Sequence, residues 1–137
     1  MSERRIQAFF YGLYMDLDVL REAGVVPDAA RQAFVENFTL RIGRRATLLP
    51  ATGARAYGML YTVTHDELER LYTAPGLEHY RPEAVLARPL DGAPIPALCY
   101  NLREAPPPHE RNAEYASRLR QALGKLGFPP DYVASVS

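Results

Sequence analysis

The stretch from Ala54 to Val63 constrains the fold more than any other part of this chain. Tyr57, Met59, Tyr61 and Val63 alternate with Gly58, Leu60 and Thr62, the period of two that a pleated strand requires. The strand runs straight into Thr64-His65-Asp66-Glu67. That is a Thr-x-x-Glu capping box, in which the two end side chains satisfy backbone donors at a helix start. Leu68, Leu71 and Tyr72 carry the core side of the helix, and Pro75-Gly76 stops it. A strand that passes directly into a capped helix points to a mixed α/β fold.

Turn signals divide the rest of the chain into further short elements. Ile6–Tyr11 is an aromatic-rich apolar run that ends at Gly12 and reads as a buried strand. Asp16–Ala23 reads as a short helix with acidic residues in its first turn and Gly24 at its end. Ala33–Gly43 alternates, with Glu36, Phe38, Leu40 and Ile42 on one side and Val35, Asn37, Thr39 and Arg41 on the other. A turn at Arg44-Arg45 leads to Ala46–Leu49, a short strand expected to end in a turn at Pro50–Gly53. Tyr80–Leu90 and Ile95–Leu102 read as strands joined by the hairpin signal Asp91-Gly92. From Glu110 to Leu126, Tyr115, Leu119, Ala122, Leu123 and Leu126 recur at helical spacing, and Gly127 and Pro129 end the helix. The expected order is β-α-β-β-β-α-β-β-α. The expected fold is α/β mixed: a small barrel-like mixed β-sheet with peripheral helices, in one domain spanning residues 1–137.

Composition narrows the function. Sixteen Lys+Arg balance sixteen Asp+Glu, which removes the bulk attraction that general binding to nucleic acid or anionic lipid relies on. No nucleic-acid or membrane partner is therefore expected. Cys99 is the single cysteine, so neither an internal disulfide nor a cysteine-based zinc site is available. No apolar run approaches the roughly 18–20 residues that cross a bilayer. The run after Met1-Ser2-Glu3-Arg4-Arg5 is shorter than a signal-peptide core of about 7–15 residues. A cytoplasmic location is the expectation, and the oligomeric state is left open.

Chemistry-bearing motifs are sparse. The chain has no Gly-x-Gly-x-x-Gly, no Gly-x-x-x-x-Gly-Lys and no His-Glu-x-x-His. His65, His79 and His109 are scattered over a helix start, a loop and a proline-rich spacer, and no metal or cofactor is expected. Arg41, Arg44, Arg45 and Arg55 gather around a turn. In a chain of zero net charge this reads as a solvated hairpin end, with an anion-binding patch as the alternative. More informative is Phe9-Phe10-Tyr11-Gly12-Leu13-Tyr14-Met15-Asp16, where a buried strand breaks at glycine and feeds a helix. Backbone amides at such a turn suit a carboxylate or another anionic group.

These residues resemble the Tyr-Gly-Ser-Asn-Leu signature of the γ-glutamylcyclotransferase-like (AIG2-like) family. The likeness continues through Ala56-Tyr57-Gly58-Met59-Leu60-Tyr61-Thr62-Val63-Thr64, then Gly76-Leu77 with Tyr80-Arg81-Pro82 and Val85. It extends to Cys99-Tyr100-Asn101-Leu102, the prolines 106–108, Tyr115 and Gly127-Phe128-Pro129-Pro130-Asp131-Tyr132, about the whole chain. The resemblance implies that family's fold, and a reaction in which the α-amine of a γ-glutamyl group attacks its own γ-carbonyl to release 5-oxoproline. Proximity makes the ring closure easy, and a carboxylate of raised pKa moves the proton. It also implies a substrate-binding set of Tyr11, Gly12, Leu13, Tyr14, Met15, Tyr80 and Tyr115.

Two key places depart from the family pattern. Leu13 and Tyr14 stand at the signature serine and asparagine, and Pro75 stands at the glutamate that transfers the proton. Proline cannot carry a proton. Glu78 on the same connection is the candidate replacement, ahead of Glu69 on the preceding helix; His79 is the neighbouring base. Three readings follow. The first is a domain that keeps the pocket and binds a small amine- or carboxylate-bearing metabolite without the usual activity. The second is an active cyclotransferase using Glu78, and the third is a non-catalytic protein-interaction module.

Overall fold

The computed structural model describes residues 4–137. Met1–Glu3, part of the segment weighed as a leader, lies outside the described residues. Five strands close into a barrel: β1 (Arg5–Phe10), β2 (Ala29–Ile42), β3 (Ala46–Thr64), β4 (Tyr80–Pro89) and β5 (Ile95–Leu102). Their order around the barrel is β1-β3-β2-β4-β5. Neighbours pair antiparallel except β1 and β5, which close the barrel in parallel where Ala8 meets Leu98. The helices α1 (Leu17–Glu22), α2 (His65–Tyr72), α3 (Ala113–Lys125) and α4 (Pro130–Ser135) follow in chain order, and a single 3-10 turn, Leu13–Met15, precedes α1. The fold is the expected mixed α/β one, with a closed barrel-like sheet.

The capping box forms as the sequence dictates. Thr64 Oγ1 accepts from the Glu67 amide at 3.1 Å, and Glu67 Oε1 accepts from the Thr64 amide at 2.9 Å. Leu68 and Leu71 are buried beneath α2. Asn112 starts α3, its side chain accepting from the Tyr115 amide at 3.0 Å, and Leu119 and Leu123 of that helix are fully buried.

Three expectations need correction. The strands expected on either side of Pro50–Gly53 are one, the 19-residue β3. Opposite this stretch the ladder shifts between Glu36 and Phe38. Asn37 adopts φ +66° and Gly53 φ +84°, and Asn37 Oδ1 accepts from the Gly53 amide at 2.9 Å. This β-bulge absorbs the turn residues without ending the strand. It also inverts the alternation of β2, because one extra residue moves the following side chains to the other face. Ala33 and Val35 are therefore buried before the bulge and Ile42 after it, while Glu36 is exposed. Finally, α4 is an additional helix, begun by Pro130 in its first turn, where a missing N–H costs nothing.

Candidate functional site

The end of β1 is fastened to the rest of the molecule by tyrosines. The buried Tyr11 hydroxyl donates to the Tyr100 carbonyl at 2.6 Å. Tyr61 donates to the Met15 carbonyl, also at 2.6 Å, and Met15 itself is fully buried. Between these anchors the Leu13 amide donates to the Tyr115 hydroxyl at 3.1 Å. A Cβ on residue 12 would collide with that hydroxyl and force the Tyr115 side chain to shift, so glycine leaves the room in which the Leu13–Tyr115 hydrogen bond forms.

Beside this turn lies a cavity of about 360 Å³, within the size range of small-molecule pockets. The turn contributes Tyr11, Gly12, Leu13 and Tyr14 to its wall. The connection from α2 to β4 contributes Tyr72, Leu77 and Tyr80, and α3 contributes Tyr115 and Arg118. Arg44, Arg45 and Ala46 come from the junction of β2 and β3, and Phe10 and Val19 complete the lining. Tyr11, Gly12, Leu13, Tyr14, Tyr80 and Tyr115 thus meet around one space. Met15 lies in the core, outside the lining.

The aromatic wall is continuous. Tyr14 meets Phe10 and Tyr72 edge-on, with centroids 6.1 and 6.0 Å apart, and Tyr72 stacks on Tyr100 at 3.9 Å and 5°. Tyr80 anchors the far side through its hydroxyl, which donates to the Ala46 carbonyl. Burial raises the pKa of every lining tyrosine: Tyr11 and Tyr72 most, where the Cys99 thiol and neighbouring phenols add to it, then Tyr14, Tyr80 and Tyr115. A buried phenol lacks the hydration that would stabilise its phenolate, so the charged form is disfavoured. At neutral pH these groups are uncharged hydrogen-bonding phenols, unsuited to act as bases.

The arginine cluster divides. Arg41 clamps the proline segment, its Nη2 donating to the carbonyls of Pro107 and Glu110 at 2.8 and 2.9 Å. Arg55 lies over the Phe34 ring, 4.5 Å from its centre. Arg44 and Arg45 line the cavity, and the backbone that carries them is fixed. The Arg44 amide donates to the Glu110 carboxylate, and Asn112 Nδ2 donates to the Arg44 carbonyl at 3.1 Å. Arg45 Nη2 lies 3.3 Å from the point a Cβ on Gly76 would occupy. Arg118 joins them one turn along α3 from Tyr115. Arg118 was not singled out in the sequence, and Tyr72 and Leu77 stood out there only as a helix core residue and as part of the family likeness. For Arg118 the available signal is its i+3 spacing from Tyr115, which puts both on one helix face.

No aspartate or glutamate is among the described residues that line the cavity. Glu78 is exposed and outside the lining; its carboxylate accepts from the Gly76 amide at 2.7 Å. Hydrogen bonds from its own amide and that of Gly76 hold its pKa below the usual value, with His79 and Arg45 adding to the effect. This is opposite to the shift that a proton-transfer carboxylate needs at neutral pH. Pro75 and Glu69 are exposed as well, and neither lines the cavity. At the start of α2, His65, Asp66 and Glu69 bring one ligand atom each within 4.8 Å of one another, all exposed. Such solvated clusters are common without an ion. No helix among the described residues is long and apolar enough to cross a membrane.

Comparison with known proteins decides the family. A family model described as γ-glutamyl cyclotransferase, AIG2-like, matches residues 8–119. The chain belongs to this family. Solved structures agree with that placement of the fold. A protein described as a γ-glutamyl cyclotransferase superposes with a TM-score of 0.78 at 17% identity, over 98% of this chain and 89% of that one. The uncharacterized protein loc79017 from Homo sapiens gives 0.75 at 18% identity, with the same coverage. YkqA from Bacillus subtilis gives 0.74 at 22% identity over 96% of this chain, which spans 52% of the length of YkqA. No curated protein matches the sequence. At these identities the likeness of this AIG2-like chain to the solved structures is one of fold.

Proposed function

We propose that this AIG2-like chain is a binding domain whose cavity takes a small amine- or carboxylate-bearing metabolite without performing the cyclotransferase reaction. The observation that carries this reading is the cavity wall: a glycine turn, five tyrosines and three arginines, with no carboxylate among the described lining residues. Cyclising a γ-glutamyl group requires a base that takes the proton from the attacking ammonium and an acid that returns it to the leaving amine. General acid–base help of this kind is typically worth about 10²–10⁴-fold in rate. The tyrosines are held neutral by burial. Arginine stays protonated and cannot serve as the base. Pro75, which the resemblance pairs with the proton-transfer glutamate, has no ionisable group. An active enzyme using Glu78 is less well supported, because that carboxylate is exposed, lies outside the lining and has a lowered pKa. A module that only docks other proteins leaves the open, polar-tipped cavity without a use.

The retained features have a binding role in this reading. The Tyr115 hydroxyl accepts from Leu13, which leaves its own proton for an acceptor on the ligand. The aromatic rings give apolar contact, and tyrosine combines both properties in one side chain. The test is an assay of purified protein for 5-oxoproline release from γ-glutamyl dipeptides, γ-glutamylamines and glutathione. The expected result is no release above background. Turnover at an ordinary rate, abolished by Glu78→Gln in a protein that stays folded, would replace this reading with the relocated-acid one.

A further inference from the structure

The lining carries a charge asymmetry that the chain as a whole does not. Net charge is zero, from sixteen cationic and sixteen acidic side chains, yet three arginines and no acidic residue among those described border the cavity. The three reach it from separate parts of the sequence: Arg44 and Arg45 from the β2–β3 junction, Arg118 from α3. None of the three guanidinium groups forms an ion pair or a hydrogen bond with another described residue. Arg41, by contrast, is committed to the proline segment and Arg88 to Glu36, at 2.7 Å. One turn amide is already engaged, since Leu13 N–H donates to Tyr115. Among the described lining residues the positively charged side chains are the three arginines. Guanidinium groups hold carboxylates through charge-assisted, often bidentate, hydrogen bonds.

We infer that the ligand of this cavity is a small organic acid, with its anionic group held by Arg44, Arg45 and Arg118 and its apolar or planar body against Tyr14, Tyr72 and Tyr115. The inference rests on the binding reading proposed above and narrows it, because a cationic amine finds no counter-charge in the lining. Arg44 and Arg118 are exposed and Arg45 is half-buried, so solvent and salt screen part of the attraction. The contribution is shared by three side chains, with none dominant.

The test uses three probes of one shape: phenylacetate, the neutral phenylacetamide and the cationic phenethylamine, titrated into the purified chain by calorimetry at low and high salt. Phenylacetate should bind about tenfold more tightly than phenylacetamide, and phenethylamine most weakly. Arg44→Gln, Arg45→Gln and Arg118→Gln should each weaken phenylacetate by about three- to tenfold and leave phenylacetamide within about twofold; the amide thus reports that the fold is intact. Added salt should weaken the acid alone. If the amide or the amine binds as well as the acid, or the three variants leave phenylacetate unchanged, the inference fails while the binding reading stands. If none of the three probes binds, both fail.

Discussion

The Gly12–Met15 turn and the connection from Thr73 to His79 border the same cavity, but their surroundings differ. In the first, Gly12 lies under the Tyr115 hydroxyl, Leu13 donates to that hydroxyl, and the Met15 carbonyl receives the Tyr61 proton deep in the core. In the second, Leu77 reaches the cavity while Pro75, Glu78 and His79 are exposed. The Glu78 carboxylate is engaged with the amide of Gly76 on its own loop. A change in the first turn has to be accommodated by the barrel and by α3. A change in the second alters few packed neighbours, so the chemistry of its side chains can change while the fold is preserved. On the proposed binding reading, this difference lets the wall persist while a proton-transfer group on the second connection is lost.

The largest effect should come from truncation under the first turn. Met15→Ala removes a fully buried side chain and should destabilise the protein by about 2–5 kcal/mol in urea unfolding. Loss of less than about 1 kcal/mol would mean that the turn is not held by the core as described. Next, Tyr115→Phe removes the acceptor of the Leu13 amide and should destabilise by about 1–3 kcal/mol. In hydrogen exchange the Leu13 amide should lose protection in this variant more than the rest of α3 does; an unchanged Leu13 would contradict the link.

The start of α2, which leads into the second connection, offers a pH-dependent comparison. Burial opposes ionisation of Glu67, but hydrogen bonds from the Thr64 and Val26 amides and the Thr64 hydroxyl, with Arg70 nearby, outweigh it and lower the pKa. The folded value lies below the unfolded one of about 4.3. Its ionised form therefore stabilises the fold above that pH, and the contribution fades as pH falls through the folded value. The stability gap between the natural protein and Glu67→Gln should be present at neutral pH and close below about pH 4. A gap that widens toward acid would reverse the assignment. The smallest effects should come from the second connection itself. Pro75→Ala and Glu78→Gln should each change stability by no more than about 0.5 kcal/mol, and a loss comparable to that of Tyr115→Phe would remove the contrast between the two connections.

Much of the architecture was legible because local chemistry and packing agree in it. The Thr64–Glu67 box, the break at Gly12 and the helical repeat from Tyr115 to Leu126 are each specified by neighbours in sequence. The continuity of β3 was not, because Pro50 and Gly53 carry ordinary turn signals. What overrides them is the Asn37–Gly53 hydrogen bond across the ladder, a contact between residues far apart in the chain. The site divides in the same way. Tyr11 to Tyr14 were readable from the strand-glycine-helix junction. Arg44 and Arg45 stood out only as a charged turn, and Arg118 only as an exposed helix residue. Nothing local tells Arg41, which clamps carbonyls, from Arg44, which faces a cavity three residues later. The docking of the Pro107–Glu110 segment against the β2–β3 junction decides between them.

The central proposal is that this cavity binds ligands and that none of its described lining residues exchanges a proton near neutral pH. The most direct test is the affinity for phenylacetate, measured between about pH 6 and pH 9, where the probe stays ionised and arginine stays charged. The lining tyrosines are shifted upward, away from this window. The account predicts a flat profile. A step or bell with a midpoint inside the window would reveal a titrating acid or base in contact with the ligand, and would contradict the account.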